Sequence, residues 1–193
     1  MKLTIAIPTY NRNEILKANL GKLLPQVTKE CRVIIFDNCS DIPVKESIQD
    51  LLEIYSHIDI SVVRNRYNIG MTANILKCFE ACPDPWLWIL GDDDEVADGA
   101  VATILSDIFR QSEMHFITYA WDEDSFKREQ EVITSGIDQF IETFETFGAV
   151  LFLSTSVYSM NKVIGSSSFA HFFQTSYAPH LVMLFMSLGD EGK

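Results

Sequence analysis

Short apolar segments alternate with helix-period segments through residues 1–120, and this alternation restricts the fold more than any other feature of the sequence. The apolar segments have the length of strands and are predicted at Leu3–Ile7, Val33–Phe36, Ile60–Val63, Trp86–Leu90 and His115–Trp121. Strands that alternate with helices form right-handed crossover units, which place the strands in a mostly parallel sheet with helices on both faces. We therefore expect an α/β fold, in a chain whose 193 residues suffice for one domain.

The segments between the strands have the apolar spacing of helices. Asn11 is predicted to cap the first helix, whose apolar stripe comprises Ile15, Leu16, Leu20, Leu23 and Leu24. Further helices are predicted at Val44–Tyr55, Thr72–Ala81 and Gly99–Gln111. After residue 120 we predict a polar loop over residues 122–131, a helical segment over 137–153, a Ser-rich turn leading into aromatic residues over 164–173, and a core or docking helix at Leu181–Leu188.

Charge and cysteine content exclude several classes of protein. The net charge of −12 argues against general nucleic-acid binding, since a phosphate backbone requires a basic surface. The four cysteines follow no signal peptide, which favours free thiols in a cytoplasmic compartment. Cys78 and Cys82 could share a helix face, but the usual zinc spacings are absent. No apolar run is long enough to span a bilayer.

Polar residues follow four of the predicted strands directly. The segments are PTYNR (8–12), DNCS (37–40), RNRYNIG (64–70) and GDDDE (91–95). In a parallel sheet these loops share the edge formed by the carboxyl ends of the strands, where ligands bind. Each could also be an ordinary turn or helix cap, but their coincidence at one edge predicts a binding site.

The acidic run of residues 92–95 emerges from a buried strand. Hard divalent cations prefer oxygen ligands, and Mg²⁺ or Mn²⁺ is often held by one or two carboxylates together with substrate phosphates. A calcium loop does not fit, because its next ligand position falls on Val96 and its glycine position on Ala97. The glycine-rich signatures of dinucleotide enzymes and P-loop NTPases, and the nucleophile elbow of hydrolases, are absent.

Taken together, four segments resemble the family-2 glycosyltransferases of the GT-A fold. They are IAIPTYNR (5–12), FDNCS (36–40), RNRYNIGMTAN (64–74) and WILGDDDE (88–95), in the family's order over roughly residues 1–120. The resemblance implies a nucleoside diphosphate sugar as donor, with a UDP-sugar favoured. It also implies a D-x-D motif within residues 92–94 and Mn²⁺ or Mg²⁺ as cofactor.

The resemblance implies a role for individual residues. Pro8, Thr9, Tyr10 and Arg12 would line the nucleoside pocket, Asp37 would accept a hydrogen bond from the base, and Asn68, Gly70 and Asn74 would lie near the ribose or diphosphate. Asp92, Asp93 and Asp94 would form the metal site. The triple Asp leaves the register open; we favour Asp92 towards the sugar and Asp93 or Asp94 on the metal and in catalysis.

An inverting transferase also needs a general base near the acceptor hydroxyl. Family members usually supply an Asp or Glu about ninety residues after the D-x-D motif, but this region reads QTSYAPHLVMLF (174–185) and contains no acid. His180 is at about the expected place and could accept the proton, or it could be a core histidine. His171 is a weaker candidate.

The resemblance further implies a cellular context. We expect a cytoplasmic enzyme of cell-envelope polysaccharide assembly, with a glycan or lipid-linked acceptor and peripheral contact at the inner face of the membrane. Residues 1–120 would bind the donor and residues 121–193 would form the acceptor side, with more chain beyond. Two alternatives stay open, a nucleotidyltransferase and a nucleotide-sugar-binding domain without activity. Aromatic residues in the second part would help form the acceptor side or, for most of them, the core: Phe169, Phe172, Phe173 and Tyr177.

Overall fold

A six-stranded sheet organises the computed structural model, which describes residues 2–120, 130–143 and 148–189. The strand order is β3-β2-β1-β4-β6-β5. β1 pairs in parallel with β2 and β4, and β2 pairs in parallel with β3, whereas β6 is antiparallel to both β4 and β5. The strands are β1 Leu3–Thr9, β2 Cys31–Asp37, β3 Ile60–Arg64, β4 Trp86–Ile89, β5 Phe116–Thr118 and β6 Ser156–Ser159.

Helices cover both faces of this sheet. They are α1 Asn13–Leu23, α2 Val44–Ser47, α3 Gln49–Ile54, α4 Met71–Glu80, α5 Ala100–Arg110, α6 Gly136–Glu142, α7 Gly148–Leu151, α8 Met160–Val163, α9 Ser167–Phe172 and α10 Pro179–Gly189. One apolar core contains buried residues of α1, α2 and α5, and a second contains buried residues of α4, α8, α9 and α10. A third, smaller cluster comprises Phe140, Val150, Leu181 and Leu184. The predicted mostly parallel α/β architecture is therefore confirmed.

The predicted strands and several helices are confirmed with shifted ends. β1 and β2 each extend beyond the predicted segment to seven residues, while β5 is shorter than predicted. Trp121, the end predicted for that strand, lies outside the described residues. The helices α4, α5 and α10 are within two residues of their predicted bounds.

The cap predicted for the first helix is wrong. Asn11 has a φ of +55°, and the helix begins at Asn13 without a side-chain cap. Asparagine tolerates this left-handed conformation better than most residues. The side chain of Asn11 instead accepts a hydrogen bond from the backbone N–H of Asp41, at 2.7 Å, which joins the loop after β1 to the loop after β2.

Other helix predictions need correction. The single helix predicted over residues 44–55 is divided into α2 and α3 at Ile48, whose ψ of 15° is not helical. Ile15, placed in the apolar stripe of α1, is 48% exposed. The Ser-rich turn predicted over residues 164–173 contains α9. The aromatic residues in and after it, expected mostly in the core, are at least 42% exposed: Phe169, Phe172, Phe173 and Tyr177. The described parts of 137–153 form α6 and α7, and most of the predicted loop at 122–131 lies outside the described residues.

β6 was not predicted from the sequence. It has four residues, Ser156–Ser159, with a serine at each end, so it lacks the apolar run that marked the other strands. All four residues are buried because β6 lies between β4 and β5 and pairs with both. Its position depends on pairing with distant strands, which local apolar patterning does not report.

Candidate active site

Four loops meet at one edge of the sheet, as the sequence predicts. The strands β1, β2, β3 and β4 are mutually parallel, so the loops that follow them leave the sheet at the same edge. Side-chain hydrogen bonds connect these loops in pairs, across sequence separations of up to 83 residues. The edge is therefore a preformed polar surface rather than a set of independent turns.

Asp92 is the buried member of the acidic run. One of its carboxylate oxygens accepts a hydrogen bond of 2.6 Å from the Thr9 hydroxyl, and the other accepts one of 3.2 Å from the Arg12 guanidinium. Asn19 donates to the backbone carbonyl of Asp92. Burial raises the pKa of the Asp92 carboxyl, and the Thr9 hydrogen bond and the Arg12 charge act against this shift. Asp92 is thus fixed between the loop after β1 and helix α1.

Asp93 and Asp94 point to different partners. Asp93 is exposed and pairs with the same Arg12 nitrogen, at 2.6 Å. Asp94 accepts a hydrogen bond from the Ser154 hydroxyl, which in turn accepts one of 2.7 Å from the backbone N–H of Gly91. Within the described residues, no three His, Cys, Asp or Glu side chains converge as a metal-ligand group. The carboxylates of Asp92 and Asp93 therefore converge on one nitrogen of Arg12, and the carboxylate of Asp94 contacts Ser154.

Gly91 leaves space for this arrangement of the acidic turn. A Cβ at Gly91 would be 2.4 Å from an Asp94 carboxylate oxygen and 3.4 Å from the Ser154 hydroxyl. We expect Gly91→Ala to displace the Asp94 side chain and break its contact with Ser154, at a cost of about 1 kcal/mol in the free energy of unfolding. Urea denaturation of Gly91→Ala beside Gly165→Ala measures this, because Gly165 has open space at its Cβ position. Equal stability of the two variants would contradict the expectation.

Asp37, predicted to contact a nucleobase, is completely buried at the end of β2. Its two oxygens accept hydrogen bonds from the backbone N–H groups of Ser40 and Val44, and from the Arg64 guanidinium at 2.6 Å. Burial alone would raise the pKa of the Asp37 carboxyl, but these hydrogen bonds lower it below its usual value. A surface cavity of about 520 Å³ opens beside Asp37 and Arg64. The residue therefore holds its own loop, and contact with a base stays a prediction.

An asparagine network joins the loops after β2 and β3. The Asn38 side chain donates to Asn68 at 2.9 Å and to the Gly70 carbonyl at 3.3 Å, and accepts from Asn65 at 2.9 Å. Asn65 donates in turn to the buried Asn74. Gly70 has a φ of +87°, which glycine adopts without strain. These hydrogen bonds fix the loop that enters α4.

The predicted ligand-binding residues thus differ in accessibility. Thr9 and Asn74 are buried and occupied by contacts within the chain, while Asn68 and Gly70 are exposed. Tyr10 is 42% exposed beside Thr9. Pro8 lies within β1 and Arg12 at the start of α1.

His180 lies in the first turn of α10. It is 2% exposed, and neither ring nitrogen makes a hydrogen bond within the described residues. Burial lowers the pKa of His180 to about 4, and the neighbouring backbone of Val150 and Leu151 offsets only part of this effect. The imidazole is neutral at pH 7, as a base must be, but it has no access to the surface.

Comparison with known proteins identifies the family of this chain. The model of glycosyl transferase family 2 matches residues 4–164, which include all four loops of the candidate site. The chain belongs to glycosyl transferase family 2. Among curated members, the GalNAc(5)-diNAcBac-PP-undecaprenol beta-1,3-glucosyltransferase of Campylobacter jejuni is 27% identical over 104 residues, and the abequosyltransferase RfbV of Salmonella typhimurium is 28% identical over 117. These alignments cover 54% and 60% of this chain, and 33% and 35% of the relatives.

Solved structures confirm the fold of this family 2 chain. S. aureus TarS 1-349 in complex with UDP has a TM-score of 0.63 at 15% identity, over 86% of this chain and 48% of that one. The mannosyltransferase PcManGT of Pyrobaculum calidifontis, in complex with GDP-Man and Mn²⁺, has a TM-score of 0.62 at 10% identity, over 85% and 46%. At these identities the likeness shows the glycosyltransferase fold, GT-A, and not the ligands. No helix in the described ranges is long and apolar enough to cross a membrane.

Sequence reasoning missed two side chains at the site of this family 2 chain. Ser154 contacts Asp94 and Gly91 from 60 residues further along the chain, and Asn19 reaches the acidic turn from α1. Both are ordinary polar residues without a motif. The position of Asn19 on α1 could have been predicted, because Asn19 directly precedes Leu20, a buried residue of that helix. Ser154 could not, because its position follows from the unpredicted β6.

Proposed function

We propose that this family 2 chain transfers a sugar from a nucleoside diphosphate donor to a glycan or lipid-linked acceptor. The observation that carries the proposal is the hydrogen-bonded group of Thr9, Arg12, Asp92 and Asp93 at the carboxyl edge of the sheet. It sets two carboxylates and a guanidinium where a parallel sheet binds its ligands. Residues 1–120 would bind the donor, and residues 121–193 would contribute to the acceptor side.

The carboxylates fit a divalent cation as cofactor. Asp92 and Asp93 already converge on one cationic group, the Arg12 guanidinium, and Mn²⁺ or Mg²⁺ requires only one or two carboxylates when substrate phosphates supply further ligands. Asp92 and Asp93 would hold the ion, and Asp94 could join them only after leaving Ser154. A bound cation would stabilise negative charge on the departing nucleoside diphosphate.

The loops that follow the strands would make the remaining contacts with the nucleotide-sugar donor. Asn68 and Gly70 are exposed beside Asn38. The Asn68 amide nitrogen can donate to a ribose or diphosphate, whereas the Gly70 backbone N–H already donates to the Asn68 side chain. Tyr10 offers a partly exposed ring to the nucleoside. TarS has been solved with UDP and PcManGT with GDP-Man, which supports the nucleoside diphosphate class. We favour a UDP-sugar, with Asp37 holding the loop that receives the base.

In the reaction, the acceptor hydroxyl attacks the anomeric carbon while the bond from that carbon to the diphosphate breaks. The hydroxyl proton passes to a general base, and we propose inversion at the carbon. His180 is the proposed base because of its place in the sequence. Since it is buried against the backbone of Val150, proton transfer to it requires α7 and α10 to separate.

A thermal-shift panel tests the proposed function. Nucleoside diphosphates and their sugars are added with and without Mn²⁺, and a ligand that binds the native state raises the melting temperature by mass action. We expect one nucleotide to give a Mn²⁺-dependent shift that disappears in Asp93→Asn. Glu95→Gln is the matched control, because Glu95 is an exposed acid of the same turn that pairs with Lys22. The absence of any nucleotide shift in folded protein would contradict donor binding.

Donor binding without transfer is a second candidate. The sequence has no Asp or Glu between Glu145 and Asp190, the region where family members usually place the catalytic base. Release of nucleoside diphosphate from the bound donor, followed with and without a lipid-linked glycan, separates the two candidates. Binding with no release in any acceptor mixture favours the second. The family match favours both over a nucleotidyltransferase.

Arg12 should compete with the metal for the same carboxylates. We expect Arg12→Met to tighten Mn²⁺ binding about fivefold, because a surface ion pair contributes about 1 kcal/mol and must be broken before the ion binds. Titration followed by electron paramagnetic resonance of free Mn²⁺ measures this. Lys22→Met removes one charge from the neighbouring Lys22–Glu95 pair and is the matched control. Weaker Mn²⁺ binding in Arg12→Met would show that Arg12 supports the metal site instead.

A further inference from the structure

Asn11 has a backbone conformation that few residues adopt. Its φ of +55° is in the left-handed region, which asparagine tolerates better than alanine does. Asn11 lies between the end of β1 at Thr9 and the start of α1 at Asn13, where the chain turns from the strand into the helix. Left-handed residues other than glycine concentrate where a backbone positions functional side chains, so the role of this turn can be sought in what its neighbours contact.

The turn at Asn11 closes around one carboxylate. Thr9, before the turn, donates to one oxygen of Asp92 at 2.6 Å, and Arg12, after the turn, donates to the other oxygen at 3.2 Å. The same Arg12 nitrogen contacts Asp93 at 2.6 Å. If β1 continued through these residues, Arg12 would lie about 10 Å beyond Thr9 and on the opposite face of the sheet. The turn therefore brings both side chains to the same carboxylate.

Hydrogen bonds from the loop after β2 hold Asn11 in place. Its backbone N–H donates to the Ser40 hydroxyl at 2.9 Å, and its side chain exchanges two hydrogen bonds with Asp41, at 2.7 and 3.2 Å. Ser40 is fixed in turn by the buried Asp37, whose carboxylate accepts a hydrogen bond of 2.8 Å from the Ser40 backbone N–H. A continuous series of hydrogen bonds therefore connects Asp37 to Asn11, the residue before Arg12.

We propose that Asn11 is a positioning residue, whose left-handed backbone holds the Arg12 guanidinium on the carboxylates of the acidic turn. This inference deepens the proposed function and rests on it, because Asp92 and Asp93 are the residues proposed to hold the cation. Asn11 acts only through Arg12. The strain of alanine in the left-handed region is comparable with the contribution of a surface ion pair, so Asn11→Ala should release the guanidinium. Glycine adopts this region without strain, so Asn11→Gly should retain the arrangement.

The rate at which phenylglyoxal modifies Arg12, followed by peptide mass spectrometry in metal-free protein, tests this role. The Arg12 side chain is 49% exposed, so the reagent can reach it. We expect Asn11→Ala to raise the rate about threefold, because the guanidinium loses its carboxylate partners, and Asn11→Gly to leave the rate unchanged. Asn13→Ala is the matched control, since it removes the hydrogen bonds of Asn13 to Ile42 and Ser47 but leaves Asn11 as it is.

Mn²⁺ affinity is a second readout, with a sign that a merely structural role would not produce. General damage to the site weakens metal binding, whereas release of Arg12 frees both carboxylates. Asn11→Ala should therefore bind Mn²⁺ up to about fivefold more tightly, as expected for Arg12→Met. Because the two substitutions remove the same contact, the double variant Asn11→Ala/Arg12→Met should bind no more tightly than Arg12→Met alone.

Three results of the modification experiment would overturn the proposal. They are an unchanged rate at Arg12 in Asn11→Ala, a rate in Asn11→Gly or Asn13→Ala as high as in Asn11→Ala, and an equal increase at Arg32. Arg32 pairs with Asp84 at the start of β2, so an increase there would show loss of the fold instead of release of Arg12. Since this experiment needs neither metal nor nucleotide, its outcome is separate from that of the proposed transferase. Tighter Mn²⁺ binding in Arg12→Met but not in Asn11→Ala would contradict the role of Asn11 alone.

Discussion

Asp37→Ala is expected to lower the free energy of unfolding by about 4 kcal/mol, because it leaves buried donors without a partner. The backbone N–H groups of Ser40 and Val44 both donate to this carboxylate, and Ser40 and Val44 are themselves almost fully buried. Arg64 would also lose its 2.6 Å ion pair, although it keeps its hydrogen bond to the Ser40 carbonyl. Removing the carboxylate therefore costs more than removing an exposed acid.

Urea denaturation at pH 7 measures this effect, with two variants that separate its causes. Arg64→Met removes the partly exposed partner and leaves both backbone donors bonded to Asp37, so we expect a loss of only about 1 kcal/mol. Asp41→Ala removes an exposed acid of the same loop and should change stability by less than about 0.5 kcal/mol. If Asp37→Ala were no worse than Asp41→Ala, the carboxylate would not be structural, and its burial would have to be explained by ligand binding.

The sequence predicts the central strands of the sheet well, because the position of each depends on the local run of apolar residues. The strands β1 and β4 are nearly continuous apolar runs, as expected of strands covered on both faces, so their positions follow from composition. Polar residues at their ends then place the candidate site at one edge. β6 illustrates the limit, since its serines are buried only through pairing with strands distant in sequence.

Within the site, the sequence predicts which loops meet but not which atoms pair. The segment GDDDE does not show which of its three aspartates act together, because this depends on their partners Arg12 and Ser154, which lie elsewhere in the chain. Arg12 pairs with Asp92 and Asp93, while Asp94 accepts a hydrogen bond from Ser154, which lies just before a strand that the sequence does not reveal. The role of Asp37 is similar: its loop was predicted, but its saturation by donors of its own chain was not.

His180→Leu is expected to remove part of the sensitivity of this protein to acid. Burial lowers the pKa of His180 from 6.5 in an unperturbed histidine to about 4. As the pH falls below 6.5, His180 therefore becomes protonated in the unfolded chain but stays neutral in the folded chain. The free energy of unfolding decreases progressively until the pH approaches 4. Above pH 6.5 the histidine is neutral in both states and contributes no pH dependence.

The expected difference follows from the size of this shift. At pH 5, protonation of His180 in the unfolded chain lowers the free energy of unfolding of the wild type by about 2 kcal/mol. The leucine variant does not undergo this loss of stability. At pH 7.5 the two proteins should differ little, because the leucine replaces a ring whose nitrogens have no hydrogen-bond partner among the described residues. Urea denaturation between pH 7.5 and pH 5, with the exposed His57→Leu as control, measures the difference. Parallel pH profiles for wild type and His180→Leu would show that His180 takes up a proton as readily in the folded state as in the unfolded state. This result would place His180 in contact with solvent and strengthen its candidacy as the catalytic base.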